Sequence, residues 1–313
     1  AVMIAPGEIE YRDVPEPTPG PGEVLLRIRR IGVCGSDVHV RHGQHPFTGY
    51  PVVQGHEFSA VVEAVGDGVD DIAVGRLVTA TPQLVCGECA PCRRGDYNIC
   101  DELRVKGFQA PGVAQDLFVT AADAVVLLPD SFTADQGAAI EPVAVAVHAT
   151  ARAGDMAGRN VVVAGAGPIG NLVAQCAAAR GAKALISDVS EFRLEIARRC
   201  GIEHTVNVRE ESLADAVRRV FGEVGYSIGL ECAGVEGAMD DIIQTVAKGG
   251  RIMTVGVFAG KPQVDLSVVG DRNSNASIRA PEIQRNPRIF GSAVDGKRVL
   301  GAVGYRQIGR EHV

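Results

Sequence analysis

Three features that would link a protein to nucleic acids, membranes or secretion are missing from this sequence. Its 313 residues carry 31 Lys and Arg against 38 Asp and Glu, a net charge of -7. A surface of that sign repels nucleic acids and anionic membranes. No run of about 18 uncharged apolar residues occurs, and residues 1–30 carry charges and prolines instead of a leader's apolar stretch. We therefore expect a cytoplasmic protein with neither nucleic-acid nor membrane partners.

Internal repeats are also lacking, and the two halves of the chain differ in character. A length of 313 residues favours two domains. Residues 24–29, 58–65 and 76–80 have strand composition and are separated by glycines and prolines. Short strands with glycine-rich turns predict a mostly antiparallel, barrel-like unit in the first half.

From residue 160 the pattern alternates strands with helices, after a helical stretch over residues 133–152. Predicted strands cover residues 161–164, 184–187, 205–208, 227–231 and 251–257, and predicted helices cover 169–180, 191–200, 212–221 and 236–247. Strands separated by helices predict right-handed βαβ units and a parallel sheet, so the fold class is α/β.

A glycine motif follows the first of these strands. Gly165 allows a tight turn, Gly167 lets the backbone approach a pyrophosphate, and Gly170 permits close packing of helix on strand. The helix that follows would point its N-terminal amides at the phosphates. The alternative is a glycine-rich turn in a ligand-free α/β domain. The predicted dinucleotide loop consists of Gly165, Gly167, Pro168, Ile169 and Gly170.

An acidic residue ends the next strand, as a dinucleotide site requires. Asp188 lies 23 positions after Gly165. Its carboxylate would accept hydrogen bonds from the adenosine ribose and repel the 2′-phosphate of NADP. Arg193, one helical turn further on, weakens that preference. We expect NAD as the cofactor, with Asp188 and Arg193 beside its ribose.

Four of the eight cysteines lie within fifteen positions, as Cys86-x2-Cys89-x2-Cys92-x7-Cys100. Four thiolates at this spacing can close a tetrahedral shell around one zinc ion. A reducing compartment disfavours disulfides, which strengthens the interpretation as a metal site. Because protein fills all four positions, this zinc would be structural. An iron–sulfur cluster is the alternative occupant.

A second group of candidate ligands is dispersed along the chain: Cys34, His56, Glu57 and Glu141. Each has an ordinary explanation, as a buried thiol, a core histidine or a surface carboxylate. Their spacing alone does not join them into one site.

Taken together, the motifs resemble those of the zinc-containing medium-chain dehydrogenases, and within them the polyol (sorbitol or xylitol) dehydrogenase branch. The matching stretches, in family order over about residues 5–268, are 32–39, 55–57, the cysteine quartet, 141–149, 165–170, Asp188, 231–234 and 249–251. The resemblance implies an N-terminal chaperonin-10-like (GroES-like) β-barrel catalytic domain over residues 1–148. It implies a doubly wound Rossmann domain over 149–270, an active site between the two, and a homodimer or homotetramer.

The resemblance also implies which dispersed residues converge. Cys34 and His56 would bind a catalytic zinc. Glu57 or Glu141 would be its third ligand, and the other would stand beside the metal or reach it through water. The open fourth position would receive the substrate oxygen. Liver-type alcohol dehydrogenases have cysteine in place of Glu141, so the chain differs from them there.

The family mechanism gives roles to four further residues. Zinc lowers the pKa of the bound alcohol, and a hydride passes to the nicotinamide. Ser36 resembles the hydroxyl relay beside the zinc, and His39 the outer residue that passes the proton on to solvent. Val255 and Gly256 correspond to backbone that contacts the nicotinamide.

The expected function is therefore NAD-dependent oxidation of a secondary alcohol or polyol to a ketone or ketose. L-Threonine 3-dehydrogenase and 2,3-butanediol dehydrogenase are alternatives with the same chemistry. A zinc- and NAD-binding sensor without turnover is the alternative of a different class, and the intact set of Cys34, Ser36, His56 and Glu57 argues against it.

The end of the chain departs from the family pattern. Residues 271–277 are polar and lack the strand expected there. We expect residues 271–313 to form an atypical segment that returns to the catalytic domain. Val40 stands where sorbitol dehydrogenases often have an aromatic pocket residue, which leaves the particular polyol open.

Overall fold

A computed structural model of the chain describes residues 1–258 and 260–271, and the backbone of 275–277. The chain divides into two compact units, one over Ala1–Glu141 and one that begins at Pro142. The domain limits placed at residues 148 and 270 stay predictions. The segment predicted over 271–313 lies almost entirely outside the described residues.

The first unit is built mainly from short strands. In chain order its elements are β1 (Val2–Ala5), β2 (Glu8–Glu10), β3 (Glu23–Ile31), α1 (Gly35–Arg41), β4 (Phe58–Val65), β5 (Leu77–Ala80), β6 (Gln83–Leu84), α2 (Ala90–Arg93), β7 (Arg104–Val105), β8 (Leu117–Ala121), β9 (Val125–Leu127) and α3 (Ala134–Ala138), and α4 (Ile140–Arg152) leads into the second unit. Five strands form one antiparallel sheet in the order β8-β3-β4-β5-β9.

The core of this sheet follows from the two-residue period of its strands. Val24 and Leu26 on β3 and Ala60 and Val62 on β4 are buried in one cluster that also contains Phe118. Alternate residues of a strand face the same side, so one face of the sheet carries the core. The mostly antiparallel unit predicted from the turns is therefore present.

The second unit alternates strands and helices. Its elements are β10 (Asn160–Ala164), α5 (Pro168–Ala179), β11 (Lys183–Asp188), α6 (Glu191–Arg199), β12 (His204–Asn207), α7 (Leu213–Phe221), β13 (Ile228–Glu231), α8 (Glu236–Thr245), β14 (Arg251–Thr254), α9 (Leu266–Asp271) and β15 (Asn275–Ser277). The sheet is parallel, in the order β12-β11-β10-β13-β14-β15.

The strand order reverses at one place in this sheet, which is called its topological switch point. The chain runs outward from β10 to β12 and then returns to the other side of β10 with β13. In such doubly wound sheets, ligands bind beyond the carboxyl ends of the strands at that reversal. The glycine motif follows β10 and therefore lies at this position.

Two predicted elements differ from the structure. The strand predicted over 251–257 ends at Thr254, so Val255 and Gly256 lie in the turn that follows it. The helical stretch over 133–152 divides at Ala139 into α3 and α4. Pro142 lies in the first turn of α4, where the missing N–H of proline has no intrahelical partner to lose.

The longest helix of the described part of the chain, α4, has 13 residues. Across the described ranges, no helix has the length and apolar composition needed to cross a bilayer.

Candidate functional site

Three of the four dispersed candidate ligands meet at one end of the antiparallel sheet. Ile31 at the end of β3 lies opposite Phe58 at the start of β4. The segment after β3 therefore comes close to the segment before β4. The ligand atoms of Cys34, His56 and Glu57 lie within 4.8 Å of one another, and both His56 and Glu57 are buried. Strand pairing thus brings together three residues that their spacing in the sequence did not assign to one site.

Gly32 makes room for the carboxylate of this group. Its N–H donates to the main-chain oxygen of Glu57 at 2.7 Å. A Cβ at position 32 would clash with Oε2 of Glu57 and lie 3.0 Å from the Glu57 Cβ. Only glycine, which has no Cβ, allows the backbone and this carboxylate to approach so closely.

The electrostatic environment of the three residues is anionic. The Cys34 thiol donates a hydrogen bond to Glu57. Burial, together with the charges of Glu57, Glu141 and Asp37, raises the pKa of Cys34 to about 12. Burial and Asp37 raise the pKa of Glu57 to about 7, and burial lowers the pKa of His56. Cysteine and glutamate would become ionised ligands here only if a cation balanced their charge.

The sequence left open whether Glu57 or Glu141 is the third ligand, and the structure distinguishes the two carboxylates. The carboxylate of Glu57 belongs to the group within 4.8 Å, and that of Glu141 does not. Glu141 is 4% exposed in the first turn of α4, and its charge still acts on Cys34. Burial raises the pKa of Glu141 as well. Glu141 is thus a neighbour of the group in this structure.

Asp37 is a buried carboxylate that the sequence reasoning missed. Its Oδ2 accepts a hydrogen bond from the Cys34 N–H at 3.0 Å, which caps the helix that follows Cys34. Its Oδ1 lies 3.8 Å from Nδ1 of His56, a buried nitrogen without a hydrogen-bond partner in the described ranges. A carboxylate behind a metal-binding histidine orients its ring. The position three residues after Cys34 is a capping-box signal that could have revealed it.

The donor set fits a zinc ion. Zinc accepts thiolate, imidazole and carboxylate ligands, and catalytic sites pair three such protein ligands with one open position. Cys34, His56 and Glu57 supply one ligand of each type. The unpartnered His56 Nδ1 beside Asp37 agrees with an imidazole held for metal binding through its other nitrogen.

The two candidate relay residues lie on α1, just after Cys34. Ser36 is half-buried and its N–H donates to the Cys34 thiol, whereas His39 is exposed. Residues three apart on a helix are surface neighbours. Ser36 and His39 therefore lead from the buried group toward solvent.

His45, to which the sequence assigns no role, packs near the candidate ligands. Its ring stacks on Phe108 with centroids 4.6 Å apart, and Phe108 contacts the His56 ring at 4.9 Å. His45 Nδ1 and Thr48 Oγ1 are hydrogen-bonded at 2.7 Å. No local sequence signal indicates this stack, because Phe108 is distant in the chain.

The cysteine quartet forms a separate, compact group. Its four sulfur atoms lie within 4.8 Å of one another, and no disulfide joins them. Cys86 Sγ lies 3.6 Å from Cys100 Sγ and 4.0 Å from Cys92 Sγ. A tetrahedral ion with bonds of about 2.3 Å holds its sulfurs about 3.8 Å apart. The group therefore fits a single zinc ion.

The local backbone closes the loop of the quartet and provides hydrogen-bond donors to its sulfur atoms. The hairpin of β6 and β7 closes the loop that carries all four cysteines. The N–H groups of Cys86, Cys89 and Cys92 each donate to a sulfur of the quartet, at 3.4–3.5 Å. Such donors stabilise thiolates. The hydrogen bond from the Asp101 backbone lowers the pKa of Cys89 to about 7, whereas burial raises that of Cys92 to about 12.

The glycine motif forms a tight turn between β10 and α5. Gly165 has φ +100°, a conformation that other residues rarely adopt. A Cβ at Gly170 would clash with the Gly165 oxygen, whereas a Cβ at Gly167 would meet no atom within 4 Å. The surface at Gly167 is open, and no side chain of the described residues caps α5, which starts at Pro168. This loop fits a pyrophosphate.

Asp188 is tied directly to the glycine loop. Its Oδ2 accepts a hydrogen bond from the Ala166 N–H at 2.7 Å, and its Oδ1 accepts one from Ser190 at 2.8 Å. Arg193 Nη1 lies 3.6 Å from Asp188 Oδ2. A carboxylate has about four lone-pair sites, so acceptor capacity for ribose hydroxyls remains.

Comparison with known proteins shows the family of this chain. Residues 20–130 match the alcohol dehydrogenase GroES-like domain, and residues 168–295 match the zinc-binding dehydrogenase family. L-Threonine 3-dehydrogenase of Chelativorans sp. (strain BNC1) is 36% identical over 262 residues, which are 82% of this chain and 75% of the relative. This chain belongs to the zinc-type medium-chain alcohol dehydrogenase family.

Solved structures are similar over nearly the whole chain. A zinc-binding dehydrogenase of Sinorhizobium meliloti 1021 bound to NADP has a TM-score of 0.85 and 30% identity, over 95% of this chain and 87% of that chain. Galactitol-1-phosphate dehydrogenase of Escherichia coli has a TM-score of 0.84 and 28% identity, over 94% and 87%.

These similarities confirm the predicted family and the predicted combination of a GroES-like and a Rossmann domain. They do not single out the polyol branch, because relatives that are 36% identical are named L-threonine 3-dehydrogenase, one of the alternatives left open by the sequence.

Proposed function

We propose that this chain is an NAD-dependent dehydrogenase that oxidises a secondary hydroxyl whose neighbouring carbon carries a second polar group. L-Threonine is the leading substrate, because curated relatives with that activity are 36% identical to this chain. The observation that carries the proposal is the convergence of the half-buried Cys34 with the buried His56 and Glu57.

Cys34, His56 and Glu57 would hold the catalytic zinc. When bound there, zinc acts as a Lewis acid that lowers the pKa of an alcohol and favours its deprotonation. Asp37 supports the imidazole of His56 from behind and caps the helix after Cys34. Glu141 remains nearby as a buried acceptor, suited to an ammonium or hydroxyl group beside the reacting carbon.

Ser36 and His39 would carry the proton away. Ser36 is half-buried and its backbone N–H donates to Cys34, so its hydroxyl is a candidate to accept the proton of the substrate hydroxyl. His39 is one turn further along α1 and exposed, so its imidazole can pass a proton to solvent.

The glycine loop and Asp188 would bind the dinucleotide, whose nicotinamide accepts the hydride. The loop from Gly165 to Gly170 would receive the pyrophosphate, and Asp188 the adenosine ribose, with Arg193 beside it. We propose NAD over NADP because the Asp188 carboxylate would repel a 2′-phosphate. Val255 and Gly256, in the turn after β14, would contact the nicotinamide.

A polyol is the second candidate substrate. Galactitol-1-phosphate dehydrogenase, a polyol-phosphate enzyme by its name, is 28% identical to this chain. A hydroxyl next to the carbinol could use Glu141 as an acceptor in the same way as an ammonium group.

An activity panel tests the proposal. L-Threonine, xylitol, sorbitol, galactitol 1-phosphate and 2,3-butanediol are each assayed with NAD and NADP, beside 2-butanol, which lacks the second polar group. We expect two zinc ions per chain, turnover with NAD, and a kcat/KM for the best substrate well above that for 2-butanol. Full zinc occupancy without any turnover would exclude the proposed enzyme, and one zinc per chain without turnover would favour the sensor.

A further inference from the structure

Glu231 is a fully buried acid to which the proposed mechanism gives no role. It is the last residue of β13, next to the switch point of the parallel sheet, and 0% of it is exposed. A buried carboxyl group loses its hydration, and this costs free energy unless other groups form hydrogen bonds with it. Those partners are backbone groups of two turns at the carboxyl edge of the sheet.

One oxygen of the Glu231 side chain holds the turn that follows β13. Oε1 accepts hydrogen bonds from the N–H groups of Ala233, at 2.8 Å, and of Gly234, at 2.7 Å. These two bonds fold the chain back at once after the strand. The side chain therefore determines the shape of the turn that its own strand leads into.

The main chain of Glu231 holds the turn that follows the neighbouring strand, β14. Its carbonyl oxygen accepts hydrogen bonds from the N–H groups of Val255, at 2.7 Å, and of Gly256, at 2.9 Å. Residue 231 thus binds both turns, one through its side chain and the other through its backbone.

The other carboxyl oxygen lies against the second turn. Oε2 is buried without a hydrogen-bond partner among the residues that the structure describes. A Cβ at Gly256 would lie 2.7 Å from this oxygen and 2.8 Å from the Gly234 Cα. The two turns are therefore packed face to face with the carboxyl group between them.

The first turn also packs against the glycine loop. A Cβ at Gly165 would lie 2.8 Å from the backbone nitrogen of Ala233, and a Cβ at Gly170 would lie 3.2 Å from the Cys232 Cβ. At the carboxyl edge of the sheet, the segment after β13 therefore contacts the glycine loop after β10 on one side and the turn after β14 on the other. Movement of the middle segment would disturb the others.

The order of the strands divides a dinucleotide along this edge. Asp188 ends β11, the glycine loop follows β10, Glu231 ends β13, and Val255 follows β14, in the spatial order β11-β10-β13-β14. With the ribose of adenosine at Asp188 and the pyrophosphate at the glycine loop, the nicotinamide half would extend toward β13 and β14. Glu231, at the end of β13, would then lie beside that half.

We propose that Glu231 is a positioning residue for the nicotinamide ring of the dinucleotide, because it holds the turns after β13 and β14 in one arrangement. This inference rests on the proposed function, in which Val255 and Gly256 contact the nicotinamide. Glu231 is fully buried and acts through these turns, not by contact with the cofactor.

The test compares two ligands that differ only in the nicotinamide: NADH and ADP-ribose. Their Kd values are measured by titration calorimetry for the wild type, Glu231→Met and Glu231→Gln. Methionine keeps the length and fills the space but cannot accept the two hydrogen bonds, whereas the glutamine oxygen can. Glu236→Ala removes an exposed acid at the start of the next helix, α8, and is the matched control.

We expect Glu231→Met to weaken NADH binding about tenfold or more, the equivalent of one to two lost hydrogen bonds, and ADP-ribose binding less than about threefold. Glu231→Gln should keep NADH binding within about threefold, and Glu236→Ala should match the wild type for both ligands. Equal losses for NADH and ADP-ribose would mean a merely structural role and overturn the inference, as would no loss for either.

Two further outcomes are distinguished by the same data. A wild type that binds neither ligand overturns the proposed function, and the inference with it. If Glu231→Met does not fold, Glu231→Asp replaces it: the acid remains, but a side chain shorter by one CH2 cannot reach both N–H groups. The same selective loss of NADH binding is then expected, and its absence overturns the inference.

Discussion

The two cysteine-containing groups of the first unit differ in how the chain assembles them. The quartet of Cys86, Cys89, Cys92 and Cys100 comes from one short loop and contains only thiols. The group of Cys34, His56 and Glu57 comes from the ends of two paired strands and contains three kinds of ligand. Both place their ligand atoms within 4.8 Å of one another.

The difference is the one expected between a structural metal site and a catalytic one. A quartet of thiols can fill all four positions of a tetrahedral ion, so no position is left for substrate. Three ligands leave one position open, and the surroundings of Cys34 add what chemistry needs: a carboxylate behind the imidazole, a second buried carboxylate, and a serine next to the thiol. A variant in each group should therefore fail in a different way.

The largest expected effect is on activity, from Cys34→Ser. We expect kcat/KM to fall at least about a thousandfold, because loss of Lewis-acid catalysis is worth several kcal/mol. The midpoint of thermal unfolding should change little. Cys200→Ser, which alters a half-buried cysteine outside both groups, is the control and should keep full activity. Activity within tenfold of wild type would remove Cys34 from the catalytic role.

The second effect is on stability, from Cys92→Ser in the quartet. We expect one zinc ion per chain in place of two, and a Tm lower by about 5–10 °C, the equivalent of roughly 3 kcal/mol. Activity at a temperature where the variant is folded should stay within about tenfold of wild type. Metal analysis and calorimetry make the measurement. Loss of activity without loss of Tm would contradict the structural assignment of the quartet.

A third comparison distinguishes the two carboxylates near Cys34. Glu57→Gln should weaken zinc binding at the catalytic site by about a hundredfold or more, because it replaces a ligand. Glu141→Gln should weaken it less, by about tenfold, the lower end of the usual range for a neighbour of a metal site. Competition with a zinc chelator measures both. The reverse order would assign Glu141 as the ligand and place Glu57 beside the metal.

The smallest expected effect concerns the stack of His45, Phe108 and His56. His45→Phe keeps an aromatic ring on Phe108 and removes the hydrogen bond to Thr48, so we expect a loss of about 1 kcal/mol or less in unfolding free energy. His45→Ala also removes the ring contact and should cost about 0.5–1.5 kcal/mol more. Denaturant unfolding of both variants checks this. Equal values for the two would show that the ring contact does not contribute.

Much of the second unit could be read from the sequence. Its strands and helices are local patterns, and the glycine motif with Asp188 combines them at a known spacing. The end of β14 was missed, because Val255 continues the apolar run of the strand. The N–H of Gly256 donates to the same Glu231 oxygen as that of Val255, which ends the regular ladder there. Hydrophobic pattern alone does not show where a backbone leaves the sheet.

In the first unit, one of the two cysteine-containing groups could be predicted from residue spacing and the other could not. The quartet follows from spacing, since its loop is short enough to bring four sulfurs together by local turns. Asp37 and His45 were missed because their partners, His56 and Phe108, are distant in sequence. A side chain's role in such a cluster depends on which strands pair, and a linear pattern carries little of that information.

The sequence by itself determined the α/β class, the glycine loop after β10 and the local cysteine quartet, because each depends on periodicity or short spacing. Only the tertiary structure placed Glu57, and not Glu141, with Cys34 and His56, and only it placed the carboxyl group of Glu231 between two turns. The physical reason is the same in both cases. Pairing of strands brings together residues distant in the chain, and a buried carboxylate is defined by the groups that surround it there.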